Sequence, residues 1–279
     1  VMPLVYDVPG DVLSIMHHDV RAIDEHDGTV YAMTRYGVSV FNEEDNNQQH
    51  QWLPQSVELH DGLLLRADTT PYGLVLGTSI GFAIAPLLAD GTMAPLSSWS
   101  WAQTEEVLAL ALLGGSDINQ HVIGLGHGRD GGIVEIDGSA NLVATHALGI
   151  GLASGLEEAN ATVSSIAHGM ATGSTLTLFV GTDRGLFVVE TASARDETAG
   201  VWRFFFTPET TSIPTNVDEL RSLPLGAAGN PAEVRDVVLD GPTSANAQVL
   251  WFGTDSGLHK LNLNDDSIDH SGLLLHPGI

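Results

Sequence analysis

Two short motifs in this sequence have the spacing of known chemistry. Gly77-Thr78-Ser79-Ile80-Gly81 has the G-x-S-x-G spacing of a nucleophile elbow, in which a strained strand-to-helix turn exposes a serine hydroxyl. The frame recurs at 181–185 and 253–257 with Asp183 and Asp255 where Ser79 stands, and a strand pattern comes after each copy. A plain turn is therefore expected. Gly126-His127-Gly128-Arg129-Asp130-Gly131 has the G-x-G-x-x-G spacing of a dinucleotide site, which needs a helix N-terminus directly after the glycines. The next residues, Gly132-Ile133-Val134-Glu135-Ile136, alternate like a strand, so no dinucleotide site is expected.

Twelve histidines are many for this length, and His17, His18, Asp19, His26 and Asp27 lie close together. Imidazole nitrogens and carboxylates can build a zinc or iron site, but no pair has diagnostic helical spacing. His18, His60, His127 and His168 lie far apart in sequence and could be gathered only by the fold. The acidic run Glu43-Glu44-Asp45-Asn46-Asn47 lacks the EF-hand register and reads as a solvated loop. The expectation is no cofactor and no tightly bound transition metal, with at most weak calcium at acidic loops. Asn160-Ala161-Thr162 is a glycosylation sequon, meaningful only in a eukaryotic secretory pathway. Trp99, Trp101, Trp202 and Trp251 are faces on which sugars could stack, of which Trp251 holds a strand position that suits core packing, and Trp99 and Trp101 are the better exposed candidates.

Composition narrows the partners. The 279 residues carry 35 acids against 10 bases, a formal charge of −25, and Lys260 is the only lysine. Phosphate backbones and anionic membrane surfaces are bound through lysine and arginine, so neither nucleic acid nor such a membrane is an expected partner. The absence of cysteine excludes disulfides and thiolate chemistry but leaves the compartment open. The opening residues Val1 to Asp7 show no basic and then apolar pattern, so no signal peptide is expected there. Residues 69–89 carry no charge, yet Pro71, Gly73, Gly77, Gly81 and Pro86 interrupt them, and no membrane span is expected.

The elements that must position these residues are set by a repeat. Leu178 to Glu190 matches Leu250 to Asn262 almost position by position, and Val75 to Ile84, Tyr31 to Phe41 and, more loosely, Val122 to Ile136 are further copies. Their second glycines fall at 37, 81, 132, 185 and 257, which is the period of an array of similar units. Each copy is an apolar run, a short turn and a second run with alternate apolar residues, the pattern of a hairpin of half-buried strands. The glycine opening the second run suits positive φ. Another short apolar strand precedes each hairpin, at 20–24, 63–68, 107–112, 163–168 and 234–240, and a more polar fourth comes after it, as at 142–148 and 201–206. Four antiparallel strands per unit, repeated around an axis, make an all-β propeller. The expected domain is 1–279, with blades at 10–53, 54–101, 102–148, 149–206 and 234–279 and an insertion at 207–233. A sixth blade remains open if the insertion or the paired termini hold one. Closure is expected from Val5 to Val8 pairing with the C-terminal unit, leaving Leu273 to Leu275 surplus.

The Gly-Thr-Asp-x-Gly-Leu hairpins resemble the propeller repeats of two-component regulators. That resemblance implies a blade fold and a ligand-sensing ectodomain, although no kinase segment accompanies it. The functional expectation is a non-catalytic ligand-binding, sensing or interaction module of a larger exported protein, periplasmic or extracellular. The alternative is a propeller hydrolase or lyase with histidines and acids drawn from several blades. In a blade, the turn between the second and third strands opens on the same rim as the connection into the next blade. That rim would carry Arg35 and Tyr36, Ser79, His127 with Arg129 and Asp130, Asp183 with Arg184, and Asp255 with Ser256, joined by His17, His18 and His60 from the entry connections. Arginine forks there suit a carboxylate, sulfate or acidic sugar, and a protein is the other partner class considered. The competing expectation is that each arginine pairs with a neighbouring acid, such as Arg184 with Asp183.

Overall fold

The computed structural model describes residues 19–42, 47–67, 70–103, 105–113, 120–126, 131–170, 176–191, 201–206, 219–222, 233–240, 249–254, 257–263 and 268–269. Among these residues, twenty-one strands form five sheets, each laid down in chain order. The first sheet is β1 (Val20–His26), β2 (Thr29–Thr34), β3 (Gly37–Asn42) and β4 (Asn47–Trp52). The second is β5 (Leu59–Ala67), β6 (Thr70–Thr78), β7 (Gly81–Pro86) and β8 (Ser100–Gln103). The third is β9 (Ala109–Leu113), β10 (Gln120–Leu125), β11 (Gly131–Ile136) and β12 (Leu142–His146). After helix α1 (Ile150–Glu158) comes the fourth, β13 (Val163–Met170), β14 (Leu176–Thr182), β15 (Gly185–Thr191), β16 (Val201–Phe206) and β17 (Glu219–Ser222). The fifth is β18 (Val234–Leu239), β19 (Val249–Thr254), β20 (Gly257–Asn262) and β21 (Ile268–Asp269). The chain is thus an all-β array of four-stranded antiparallel sheets, with one added strand.

The added strand lies within the expected insertion, 207–233. Its residues 219–222 form β17, which runs parallel to β16 and extends the fourth sheet, with Arg203 opposite Glu219. Helix α1 has no counterpart in the expected strand pattern. Its N-cap is Gly149, with no side-chain cap, so the usual start signal is missing from the sequence. The expected pairing of Val5 to Val8 and the run Leu273 to Leu275 lie outside the described residues.

The hairpin turns arise from threonine and glycine. The hydroxyl of the last residue of the second strand donates to the carbonyl of the glycine three residues on: Thr34 to Gly37 (2.9 Å), Thr78 to Gly81 (2.7 Å), Thr182 to Gly185 (2.9 Å) and Thr254 to Gly257 (3.3 Å). Gly81, Gly185 and Gly257 have φ of 115°, 138° and 129°, a region that side-chain-bearing residues rarely adopt. In the third sheet this glycine is Gly131 (φ 107°), one residue before the position expected.

The chain divides into two compact units, one holding the first three sheets and the other α1 and the last two. In the first unit, β5 lies beside both β1 and β9. Asp24 Oδ2 accepts from Leu64 N (3.3 Å), and Asp61 Oδ2 accepts from Leu110 N (2.7 Å), so side chains of one first strand hold the backbone of the next. Tyr31, Met33, Val38, Leu59, Leu74 and Leu76 fill the space between the first and second sheets. Leu65, Val75, Phe82, Val107, Val122 and Val134 fill that between the second and third. In the second unit, β13 lies beside β18, Ser165 Oγ accepts from Val237 N (3.1 Å), and Phe179, Leu186, Val188, Val234, Leu250 and Phe252 form the core. Each buried Leu, Val or Phe contributes about 1.5–3 kcal/mol, so stability resides between neighbouring sheets as well as within the ladders.

Candidate functional site

The first strands share an irregularity that alternation in the sequence does not reveal. Their pairing with the second strands skips one residue near the start: Arg21 in β1, His60 in β5, Ser164 in β13 and Arg235 in β18. An extra residue of this kind is a β-bulge, which bends the strand and re-aims a side chain. Bulges thus set Arg21 and His60 at one end of the first unit's sheets, and Ser164 and Arg235 at the equivalent end of the second unit's.

In the first unit, backbone hydrogen bonds tie that end to the hairpin turns. Arg35 N donates to Asp19 O (2.9 Å), Leu59 N to Arg35 O (2.7 Å), Ser79 N to Glu58 O (2.9 Å) and Val107 N to Thr78 O (2.9 Å). Glu58 N donates in turn to Ser79 Oγ (3.1 Å). Ser79 is therefore a hairpin-turn residue that braces the entry to β5, and a strand, β7, comes after it, as the plain-turn reading expects. The second unit repeats the arrangement, with Asp183 N on Thr162 O (3.1 Å) and Thr162 N on Asp183 Oδ1 (2.8 Å).

The charged groups on this belt are arranged as pairs. Arg35 Nη2 lies 2.7 Å from both carboxylate oxygens of Glu58. Arg21 Nη2 reaches Asp19 Oδ2 at 2.8 Å, and His60 Nε2 lies 2.8 Å from Glu106 Oε1 without hydrogen-bond alignment. The Arg35 guanidinium holds the Glu58 carboxyl below the usual carboxylate range, with nearby His60 and Arg21 acting in the same sense. Hydrogen bonding to Glu58 raises Arg35 correspondingly. The Arg35 guanidinium carbon also lies 5.3 Å from the ring centroid of Tyr36, which is 37% exposed. Three bases, three acids and an exposed phenol thus line one end of the first unit.

Of the rim residues read from the sequence, Arg35, Tyr36 and His60 lie at this end of the first unit, beside Arg21, Asp19, Glu58 and Glu106. Arg184 occupies the equivalent turn of the fourth sheet, where its Nε lies 3.8 Å from Asp183 Oδ2. His17, His18, His127, Arg129, Asp130, Asp255 and Ser256 lie outside the described residues. An acid two residues before the bulge recurs in Asp19-Val20-Arg21, Glu58-Leu59-His60 and Glu233-Val234-Arg235, a pattern that stands out only once the bulges are located. Among the described residues, no three His, Asp or Glu side chains are grouped to hold a metal ion.

Two tryptophan readings are corrected. Trp99 is 6% exposed, its Nε1 donates to Ala94 O (3.0 Å), and it stacks on Trp101 with centroids 6.4 Å apart, so it is a core residue. Trp251 alternates out of the core that Leu250 and Phe252 enter, and Lys260 Nζ lies 5.8 Å from its ring centroid.

No family model matches the chain, and no curated protein does. Among solved structures, a functionally unknown protein from Desulfotomaculum acetoxidans aligns with 95% of this chain and 76% of its own at 11% identity and a TM-score of 0.56. A chain of the mitotic checkpoint complex aligns with 96% of this chain and 68% of its own at 13% identity and a TM-score of 0.51. These likenesses are of fold alone. The extracellular domain of BT4673 from B. thetaiotaomicron, a proposed one component or hybrid two component system, aligns at 16% identity and a TM-score of 0.47. That alignment covers 92% of this chain but only 29% of the other, so this chain spans less than a third of its length. Among the described residues, no helix is long and apolar enough to cross a membrane.

Proposed function

We propose that the chain is a non-catalytic binding and sensing module of an exported protein, built as a β-propeller whose five sheets are the blades. One rim of turns and bulges takes a small anionic ligand, a carboxylate, a sulfate or an acidic saccharide. The observation that carries this reading is the backbone belt of the first unit. It ties the Arg35–Tyr36 turn to the starts of β1 and β5, where the bulged Arg21 and His60 lie, so these four cannot rearrange without breaking the bonds between sheets. Glu58 holds the Nη2 group of Arg35 and orients the guanidinium, whose Nε is buried, so an oxyanion would be met by the outer Nη groups of the fork. Preorganisation of this kind lowers the ordering cost of binding. In a protein of net charge −25, an end at which three bases match three acids is a local exception.

The test is calorimetric titration of sulfate, small dicarboxylates and acidic oligosaccharides into the protein and its Arg21→Ala, Arg35→Ala and Arg184→Ala variants. Saturable binding that weakens at least about tenfold in Arg35→Ala, equivalent to about 1.4 kcal/mol, supports the rim. Binding that survives all three changes, or no binding to any of these anions, removes it.

A further inference from the structure

The outer edges of the sheets differ in how they are protected. An edge strand presents a row of unpaired main-chain groups, which natural proteins blunt by shortness, charge, bulges or a covering strand. Among the described residues, β8 has four residues and β21 has two. The pairing of β12 skips Val143, and the outer edge of β16 is covered by β17, which itself carries Glu219 and Arg221. The first sheet ends differently. β4 pairs with β3 over six residues without a shift, and no described strand lies on its other side. From 46 to 57 the chain has no Asp, Glu, Lys or Arg, and four of its seven glutamines stand there.

The ladder fixes which groups face outward. Leu53 N donates to Tyr36 O (2.9 Å), one step beyond the pairs Gly37–Trp52 and Val38–Gln51. Bonded and non-bonded pairs alternate in an antiparallel ladder, so the main chain of Gln51 bonds to β3 and those of His50 and Trp52 point away from it. The Trp52 side chain is 46% exposed. Its carbonyl accepts from the exposed Gln51 Nε2 at 3.2 Å, while the His50 ring is turned to Ser39 Oγ (2.9 Å) within the sheet.

We propose that β4 is a dimerisation edge, on which β4 of a second copy pairs antiparallel about a two-fold axis at Gln51. The main chains of His50 and Trp52 then bond to those of the second copy's Trp52 and His50. Gln51 meets its own equivalent at a non-hydrogen-bonded pair, where side chains approach most closely. A primary amide both donates and accepts, so it complements itself; it gives up Trp52 O, which accepts from the second copy's His50 N instead. Pro54, with no N–H, ends the pairing. The occupant is a second copy because at a charge of −25 two copies repel, and this strand lets them meet with no like charges opposed. Isologous pairing also closes on itself, which gives a dimer and not a fibre.

Sedimentation velocity of the parent should show a dimer that grows with protein concentration and is favoured by salt, which screens the repulsion. Amide exchange at His50 and Trp52 should slow as concentration rises, while that at Gln51, already bonded to β3, should not change. Gln51→Lys and Gln51→Glu should each weaken association about threefold or more, since like charges then stand directly opposite, and an equimolar mixture should restore it. Gln51→Lys also lowers the net negative charge, so its weakening cannot come from overall repulsion. With no cysteine in the chain, Gln51→Cys can form a disulfide only between copies, and under mild oxidation it should do so faster than Gln49→Cys. A parent that stays monomeric at every concentration and salt overturns the proposal. So does a dimer that is indifferent to both charged variants, or one that forms without slowing exchange at His50 and Trp52.

Discussion

Arg35 and Glu58 meet across two sheets, the guanidinium Nη2 standing 2.7 Å from each carboxylate oxygen. One comes from the β2–β3 turn and the other from the entry to β5, so the pair fastens the side chains of two sheets at the end where their backbones are already bonded. Because Glu58 is held below its ordinary range, its contribution to stability is present above the unfolded carboxyl value and lost as the pH falls through the lowered folded value. Glu58→Gln should flatten the acid limb of Tm against pH while changing Tm little at neutral pH, since the pair is partly exposed. An unchanged acid limb would show that the pair contributes nothing to folding.

Gly77 should tolerate no side chain. Its Cβ would meet the Val107 carbonyl at 2.8 Å, and both residues belong to backbone that cannot yield as a flexible side chain can. Gly77→Ala should cost about 1–3 kcal/mol, the usual range for overpacking, measured by urea denaturation. A variant as stable as the parent would mean that the second and third sheets can move apart.

These glycines and threonines show why the hairpins are legible in the sequence. Only glycine suits both the positive φ at Gly185 and the close approach at Gly181, and Thr182 is the donor that closes the turn between them. The repeat therefore records geometry residue by residue. The bulges at Arg21 and His60 are not legible, because one unpaired residue near a strand end leaves the apolar alternation almost intact. Nor is the Arg35–Glu58 pair, whose partners are 23 residues apart and meet only once the sheets pack. Tryptophan exposure is hidden for a related reason: Trp99 lies just before β8 and enters the core through the loop ahead of it, where strand alternation says nothing.

Two of the four tyrosines should titrate late. Burial pushes the phenols of Tyr31 and Tyr72 up to about 12, and Tyr31 donates to the Gly91 carbonyl at 3.0 Å. A raised phenol favours the neutral folded form, so its contribution is present below the unfolded value near 10 and fades as the pH rises toward 12. Ultraviolet difference titration of the parent against Tyr31→Phe and Tyr72→Phe should show each variant losing absorbance change only in the late phase. Loss from the early phase would contradict the burial assigned to that ring.

Gln49 should matter more than a polar residue on an outer strand ordinarily does. Its side-chain amide acts as a short piece of strand: Nε2 donates to Met93 O at 2.9 Å and Oε1 accepts from Met93 N at 2.6 Å. Met93 is 1% exposed and belongs to the core between the first two sheets, so water cannot readily replace either bond. Gln49→Leu would leave a buried donor and a buried acceptor unmatched, at about 1–3 kcal/mol each before relaxation. Gln49→Glu keeps the acceptor for Met93 N but turns a carboxylate oxygen toward a carbonyl, so it too should destabilise, and more at neutral pH than in acid, where a protonated carboxyl restores the donor. Denaturation at the two pH values separates these cases, and faster exchange of the Met93 amide in both variants would locate the damage. If Gln49→Glu matched the parent at neutral pH, Gln49 would not be holding the segment between β7 and β8 against the first sheet.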